Sequence, residues 1–548
     1  MKKLLFVLAI SGVAVLTSIG LVACGGGDDG GSSGGGKGGT MKISYGSFPD
    51  FLDPALSYTA EGWTAMGEIY IPLLTYNAAE GVEGSEVVPG LAKDLPEISK
   101  DGKTYTLFLR PGLKYSDGTP VKASDFPASI ERLFEINSPG SPFYSGIVGA
   151  EEFAETRKGG IPGIKANDGS GEIQIELTAP SGTFTNELAM LFAALLPADT
   201  PAEDLSATPP PATGPYMIVN TKPGRSWDYE RNPEWAKANS KAMPDFATGS
   251  MDRIEATVSS NPETQVADVE RGAYQWMQNL IPPDRYVQVK NEFEGTQFKS
   301  TPTISTYYFW LNTTQPPFDD LKVRQAVNYA VNGEALERIY AGQMSAGQQI
   351  LPPGMPGHEE FELYPYDLQK AKQLVKEAAP KDMQVTVWTN NEPQTQEAGE
   401  YLDGVLTEIG FETTIKVVNA ENYFAVVGNA STPDLDAGFT SWFQDYPHPN
   451  NFMQPLMSSE GIAPTQTTNL SRYSTPEIDR ELSELREVPL GPEQEEAYAA
   501  LDRKLMEAAV AAPYGSIDIS TFVSEEIDLD QVIFNPTLGQ LLTSFEYE

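Results

Sequence analysis

The segment FTSWFQDYPHPNNFM, residues 439–453, carries the clearest chemical signal in the chain. Apolar and small or polar residues alternate from Leu435 to Thr440, and this alternation predicts a β-strand. The run DYPHPNN, residues 445–451, follows, and its prolines and asparagines indicate an irregular segment. Asp445 is therefore predicted to lie just beyond the carboxyl end of a strand, where open α/β sheets bind their ligands.

Three aromatic residues accompany Asp445 in this segment, namely Trp442, Phe443 and Tyr446. A carboxylate between aromatic rings suits an ammonium group, because charge pairing strengthens at low local dielectric and ring faces attract cations. The alternative is structural, since aromatic residues after a strand commonly pack in a core and an Asp before a proline commonly belongs to a turn. The residues alone leave both interpretations open.

The spacing Trp442-x-x-Asp445-Tyr446-x-x-Pro449 resembles the W-x-x-D-Y-x-x-P segment of family 5 solute-binding proteins, the oligopeptide and dipeptide receptors of ABC importers. The resemblance implies that Asp445 pairs with the α-ammonium of a peptide and that Trp442 is a pocket wall. It covers essentially residues 41–548. The other matching segments are residues 52–54, 109–133, 213–216, 231–233, 312–330 and 351–354.

The resemblance implies an α/β chain with a two-lobed type II periplasmic-binding-protein-like fold and an extra domain inserted in the first lobe. The residue pattern over 385–442 also predicts a β-α-β-α-β unit, which by default is a right-handed parallel sheet. Tyr58 and Trp63 of the first lobe are predicted to form the opposite wall of the site. The predicted boundaries are residues 41–76, 207–305 and 514–548 for lobe I, 77–206 for the inserted domain and 306–513 for lobe II.

The amino-terminal region has the pattern of a bacterial targeting segment over residues 1–23, with a basic start before an apolar run. The apolar run is nearly long enough to span a membrane, so a single-pass anchor is the alternative. The sequence LVAC, residues 21–24, resembles a bacterial lipobox, which implies cleavage before Cys24 and lipidation of that residue. The glycine-rich residues 24–40 are then a tether at the outer face of the cytoplasmic membrane.

Composition restricts the class of function. The formal net charge of −39 argues against nucleic-acid binding, which needs a basic surface. Cys24 is the single cysteine of the sequence and excludes an intramolecular disulfide and a cysteine-based metal cluster. With His358 and His448 as the two histidines, a Ser-His-Asp hydrolase and direct metal ligation are both disfavoured. We therefore expect no enzymatic activity, no resident metal and no cofactor.

The predicted function is capture of a short peptide, or a similar cationic or zwitterionic solute, and its delivery to an ABC permease with its ATPase subunits. Alternatives are a binding component for a metal complex of the nickel or haem type, and a peptide sensor without transport. The sequence departs from the pattern of the family at one point that concerns the substrate. No Lys or Arg occurs between Lys416 and Arg472, and Phe439 stands where an Arg is expected, so a clamp for a peptide carboxylate is not evident.

Overall fold

Three large β-sheets organise the molecule. The structure is a computed structural model that describes residues 38–548, so the predicted targeting segment, Cys24 and most of the tether lie outside the described residues. The strands in chain order are β1 (Thr40–Tyr45), β2 (Leu74–Tyr76), β3 (Val87–Pro89), β4 (Glu97–Ile98), β5 (Thr104–Phe108), β6 (Ile164–Asn167), β7 (Glu172–Glu176), β8 (Tyr216–Lys222), β9 (Ser226–Arg231), β10 (Arg253–Val258), β11 (Trp276–Met277), β12 (Phe298–Pro302), β13 (Ser305–Leu311), β14 (Met344–Ala346), β15 (Gln384–Asn390), β16 (Glu412–Val418), β17 (Ala437–Phe443), β18 (Ala511–Phe522), β19 (Phe534–Asn535) and β20 (Gly539–Gln540).

The helices connect and cover these sheets. In chain order they are α1 (Ala60–Met66), α2 (Asp125–Glu135), α3 (Ala150–Thr156), α4 (Phe184–Glu187), α5 (Ser240–Ala242), α6 (Pro262–Glu270), α7 (Pro283–Phe293), α8 (Leu321–Ala330), α9 (Gly333–Ile339), α10 (Leu368–Ala378), α11 (Pro393–Ile409), α12 (Tyr423–Val427), α13 (Asn450–Met457), α14 (Pro476–Arg486) and α15 (Pro492–Glu507). None of the helices in residues 38–548 combines the length and the apolar character needed to cross a membrane.

The first sheet has five strands in the order β11-β1-β10-β9-β8. Strand β1 runs parallel to β10 and β11, whereas β8, β9 and β10 pair antiparallel. Met41, Ile43 and Tyr45 alternate along β1 and are fully buried, as expected for a strand with one face in a core. Because β1 and β11 are parallel, their carboxyl ends share one edge of the sheet, which carries Tyr45 and Gln278.

The second sheet has four antiparallel strands in the order β4-β5-β7-β6. It packs with α2, which buries Phe126, Ile130 and Leu133 at helical spacing in a separate hydrophobic core. These elements fall within the predicted inserted domain. The same core also includes the ring of Tyr446, which comes from the chain beyond β17.

The third sheet has seven strands, in the order β12-β18-β13-β17-β15-β16 with β14 paired to β18. Strand β15 runs parallel to both β16 and β17. Helices α11 and α12 carry the chain from β15 to β16 and from β16 to β17, so the predicted β-α-β-α-β unit is confirmed. All seven residues of β13 are buried, which fits a central strand covered on both faces.

Strand β18 connects parts of the structure that the sequence predicts to be separate lobes. Residues 511–515 pair with β13, and residues 518–522 pair with β12. Val523 then forms a bridge with Trp276 of the five-stranded sheet. Strand β18 is thus one continuous strand over Ala511–Phe522, and the chosen lobe boundaries stay a prediction.

Candidate ligand-binding site around Asp445

Asp445 follows the carboxyl end of β17, as the sequence predicts. Strand β17 is held between β13 and β15, and its last residue, Phe443, pairs with Ser305. The next residue, Gln444, donates its backbone N–H to the Ile304 carbonyl at 3.1 Å. The expectation of an irregular segment throughout residues 445–451 is wrong at its end, because α13 begins at Asn450. Asparagine favours helix starts as well as turns, so the residue type alone does not distinguish them.

The Asp445 carboxylate is buried and hydrogen-bonded. The side chain is 9% exposed, and its Oδ2 accepts from the Tyr58 hydroxyl at 2.9 Å and from Asn451 Nδ2 at 2.7 Å. Asn451 Oδ1 in turn accepts the Asp445 backbone N–H at 2.8 Å. Within residues 38–548, no Lys or Arg forms an ion pair with this carboxylate. Asp445 therefore has partners for hydrogen bonding but no cation to compensate its charge.

Burial raises the pKa of Asp445 to about 6, although the hydrogen bonds from Asn451 and Tyr58 act in the opposite direction. Burial also raises the pKa of the Tyr58 hydroxyl well above its usual value, and the Asp445 charge adds to that effect. Desolvation disfavours the charged form of a carboxyl group, and a nearby positive charge restores it. The site is therefore electrostatically suited to a cation.

Tyr58 reaches Asp445 because a tight loop presents it. The Asp50 carboxylate accepts hydrogen bonds from Tyr58 N and from the hydroxyls of Ser57 and Thr59, at 2.7–2.9 Å. Thr59 then caps α1 by accepting the Gly62 N–H at 3.2 Å. Three local side-chain bonds thus fix the loop from which the Tyr58 hydroxyl crosses to β17.

The other predicted wall residues lie in different surroundings. Trp63 neighbours Tyr58, with ring centroids 6.0 Å apart. Trp442 and Phe443 are half-buried against the core of the seven-stranded sheet. Tyr446 is 3% exposed and contacts Phe143, edge to face, in the core of the four-stranded sheet. The structure thus brings Tyr58 directly to Asp445 and Trp63 to Tyr58, whereas the ring of Tyr446 is mostly used in core packing.

A small cavity adjoins Asp445. Its volume is about 20 Å³, and Trp63, Tyr76 and Leu538 are among its lining residues. A larger cavity of about 430 Å³ shares Tyr76 and Leu538 as walls, but Asp445 does not line it. Arg110 lines the larger cavity and donates to the backbone carbonyls of Gly90 and Ala92. The small cavity is the candidate site, because the uncompensated Asp445 carboxylate lines it.

Asn451 contacts Asp445, and the sequence pattern did not predict this contact. It holds both the backbone and the carboxylate of Asp445, and its Oδ1 also accepts from Trp442 Nε1 at 3.5 Å. In the sequence, the Asn-Asn pair indicates a turn and gives no sign of this contact. The sequence pattern also did not predict the position of Arg486 of α14. Its guanidinium pairs with Glu187 at 3.8 Å, and its positive charge acts to lower the pKa values of His448 and Tyr446.

His448 lacks the environment of a catalytic base. It is 2% exposed, and its Nδ1 accepts the Asn450 N–H at 3.1 Å. Burial and the Arg486 charge lower the pKa of His448 to about 4, so the ring is neutral at physiological pH. No group of three or more His, Cys, Asp or Glu side chains suited to a metal ion occurs in the described part of the chain.

Comparison with known proteins identifies the family. Residues 86–464 match the family described as bacterial extracellular solute-binding proteins, family 5 middle. The chain belongs to this family. It is 26% identical to Heme-binding protein A of Haemophilus influenzae over 471 residues, covering 81% of this chain and 80% of that protein. It is also 26% identical to the dipeptide-binding protein of Escherichia coli over 446 residues, covering 78% of this chain and 79% of that protein.

Solved structures agree with this assignment at the level of the fold. Clavulanic acid biosynthesis oligopeptide binding protein 2 superposes with a TM-score of 0.83 at 24% identity, covering 93% of this chain and 95% of that one. The Helicobacter pylori protein DppA, solved with the peptide STSA, superposes with a TM-score of 0.78 at 21% identity. The match covers 93% of this chain and 98% of that one. The predicted α/β, two-lobed type II periplasmic-binding-protein-like fold is thereby confirmed. As a family 5 member, the chain is an extracellular solute-binding protein and not an enzyme.

Proposed function

We propose that this protein is a lipid-anchored receptor that captures a short peptide, or a similar cationic or zwitterionic solute, through Asp445 and delivers it to an ABC importer. The observation that supports this proposal is the buried Asp445 carboxylate, which accepts two hydrogen bonds but has no cationic partner in residues 38–548. A bound α-ammonium would supply the missing positive charge and three N–H donors. Trp442, Phe443, Tyr446, Tyr58 and Trp63 are the proposed walls.

Binding is proposed to involve separation and closure of the two lobes. The Tyr58–Asp445 hydrogen bond joins the proposed first lobe to the second. Gln444 makes a similar connection, because its Nε2 donates to the Pro536 carbonyl at 3.0 Å and to Thr537 Oγ1 at 2.9 Å. A cavity of about 20 Å³ has room for about one water molecule. A peptide therefore enters only when these contacts open, and closure follows when it adds contacts of its own.

The relatives support a peptide more than a metal complex. Among them are a dipeptide-binding protein of Escherichia coli and a glutathione-binding protein of Salmonella typhi. Heme-binding protein A of Haemophilus influenzae makes a haem-type ligand the second candidate. Haem carries anionic propionates, and an uncompensated buried carboxylate repels anions. The charge at Asp445 therefore favours the peptide candidate.

The membrane anchor is the part of the proposal that depends on the sequence of residues 21–24. Lipidation of Cys24 by several acyl chains would hold the protein stably at the membrane surface. The test compares wild type with Cys24→Ser by membrane fractionation and by the mass of the mature amino-terminal peptide. An unmodified Cys24 in the wild-type membrane fraction would refute the anchor without affecting the binding site.

The binding function is tested on the protein as purified and on an Asp445→Asn variant. Native mass spectrometry should detect a co-purified solute, and metal analysis of the same sample tests the metal-complex candidate. Calorimetric titration with a dipeptide and its N-acetylated form should show that binding needs the free α-ammonium. Equal affinity for the two forms, or an unchanged affinity in Asp445→Asn, would overturn the proposed role of Asp445.

A further inference from the structure

The cavity of about 430 Å³ has the size of a small-molecule binding site. Its lining residues come from distant parts of the chain and fall within residues 67–78, 88–93, 110, 215, 245–247 and 538–543. Asp445 does not line it, and the small cavity beside Asp445 is too narrow for more than about one water molecule. The larger cavity is therefore a candidate site in its own right.

The wall of this larger cavity combines apolar side chains with four charged ones. The charged residues are two acids and two bases, namely Glu68, Asp245, Lys93 and Arg110. Small-molecule sites typically have this composition, with an apolar wall and a few polar groups that orient the ligand. Apolar side chains that line the cavity include Ile71, Val88, Phe246, Leu538 and Leu541.

Glu68, which lies just after α1, contributes a carboxylate without a cationic partner. Thr543 donates its backbone N–H to Glu68 Oε2 at 3.0 Å and its hydroxyl to Oε1. In the described part of the chain, no Lys or Arg forms an ion pair with Glu68. Burial raises the pKa of Glu68, whereas the hydrogen bonds from Thr543 act in the opposite direction. A positive charge in the cavity would stabilise the ionised form.

Arg110 contributes a guanidinium without an acidic partner. Its Nε donates to the carbonyls of Gly90 and Ala92 at 2.9 and 3.0 Å. Its Nη1 donates to the Ala242 carbonyl at 2.9 Å, and Nη2 lies 3.5 Å from the Pro89 carbonyl. A guanidinium has five N–H groups, so one N–H on each Nη nitrogen has no acceptor among residues 38–548. Paired N–H groups of this kind bind a carboxylate in a bidentate manner.

The charges of Glu68 and Arg110 do not neutralise each other, although both residues line the same cavity. They form no ion pair, because each side chain is held by its own hydrogen bonds. A cation alone would compensate Glu68 and leave Arg110 without a partner, and an anion alone would do the reverse. A molecule that carries both signs compensates both groups, and groups that are already fixed lose little entropy when it binds.

The exposed charges at the cavity do not favour one sign over the other. Lys93 and Asp245 are both exposed, so they line the part that solvent reaches. Within residues 38–548, neither of them forms an ion pair. Because their charges are opposite, the selection for charge falls on the half-buried Glu68 and Arg110.

We propose that the larger cavity is a second binding site, which holds a free zwitterionic amino acid with an apolar side chain. Its ammonium group pairs with Glu68, its carboxylate pairs with Arg110, and its side chain contacts the apolar wall. An ammonium group offers three N–H donors to the carboxylate of Glu68. This inference goes beyond the proposed function, because Asp445 is not part of the second site.

The experiment uses methionine and two derivatives that each lack one charge. L-Methionine, N-acetyl-L-methionine and L-methioninamide are titrated by calorimetry into the protein carrying Asp445→Asn, which removes the carboxylate proposed to bind an ammonium group at the first site. We expect methionine to bind about 10- to 100-fold more tightly than either derivative, as for charge-assisted hydrogen bonds. In crystals grown with L-selenomethionine, the anomalous signal of selenium should lie in the larger cavity.

Two variants in the same background test the assignment. Glu68→Gln should reduce the preference for methionine over N-acetylmethionine to within about 3-fold, while the preference over methioninamide remains. Unchanged affinity for N-acetylmethionine shows that this variant is folded. Because Arg110 also holds backbone carbonyls, it is left in place, and Ala247→Trp fills the exposed side of the cavity instead and should abolish methionine binding. The exposed Glu151→Gln is the matched control and should keep both preferences.

The outcomes separate the second site from the first. Equal binding of methionine and either derivative would refute the zwitterionic ligand class. A preference for methionine over N-acetylmethionine that survives in Glu68→Gln, or a selenium signal outside the cavity, would refute the site. The function proposed for Asp445 is judged separately, because it requires a dipeptide to bind the wild type more tightly than Asp445→Asn whatever methionine does.

Discussion

The substitution Asp445→Asn should stabilise the ligand-free protein and weaken ligand binding. Asparagine has nearly the same shape, and its amide oxygen can accept from Tyr58 and Asn451 as Oδ2 does. The folded-state pKa of Asp445 is about 6, against an ordinary value of 3.8. This difference corresponds to about 3 kcal/mol of unfolding free energy that the ionised carboxylate costs the folded state.

The direction in which the unfolding free energy changes with pH follows from proton binding. Between about pH 4 and about pH 6 the folded state keeps a proton on Asp445 that the unfolded state has released, so stability falls as pH rises through this window. Asparagine has no such proton. The variant should therefore match the wild type near pH 3 and exceed its unfolding free energy by about 3 kcal/mol at pH 7.

The assay is urea unfolding of both proteins at several pH values, reported as the difference in unfolding free energy. Other titrating groups cancel in that difference, and the exposed Asp530→Asn serves as a control that should show no trend with pH. The same Asp445→Asn variant should bind an α-ammonium dipeptide more weakly by about 2–5 kcal/mol. A pH-independent difference, or a variant less stable than wild type at neutral pH, would refute the reasoning.

Two further substitutions test the surroundings of the site, and a third tests a buried ion pair. Asn451→Ala removes two hydrogen bonds to Asp445 and should lower peptide affinity by about 1–3 kcal/mol in calorimetry, so an unchanged affinity would contradict the role of Asn451. Tyr58→Phe removes one of the hydrogen bonds between the proposed lobes and should raise the rate of ligand dissociation in stopped-flow experiments; an unchanged rate would contradict its role in closure. Arg132→Met leaves the buried Asp53 without its bidentate partner and should lower the unfolding free energy by about 3–5 kcal/mol in urea, whereas an effect below about 1 kcal/mol would count against it.

The sequence predicted those features that depend on local pattern. Alternation from Leu435 to Thr440 located the strand that ends before Asp445, because one strand is enough to place a residue at a sheet edge. The resemblance at Trp442 and Asp445 gave the family. Asn451 was missed because its two bonds depend on a helix start at Asn450, and asparagine indicates a helix start and a turn equally well.

Features that depend on contacts between distant segments could not be predicted in this way. Glu187 and Arg486 are far apart in sequence, and the local pattern around either residue does not show that the two side chains pair. Tyr446 is predicted as a wall beside Asp445, and the sequence pattern did not show that its buried ring also joins the core of the four-stranded sheet, where it meets Phe143 edge to face. A pattern of apolar residues shows that a side chain is buried but does not show which core it enters.

The position of β18 has a consequence for how the chain folds. Its first half completes the ladder beside β13, and its second half completes the ladder beside β12. Both partners precede it by about two hundred residues of chain, and such distant pairing makes folding slow. During synthesis, β12 and β13 therefore cannot pair with β18 until residues 511–522 have left the ribosome. The growing chain stays incompletely folded until late, and its unpaired strand edges favour pairing with other chains during that time.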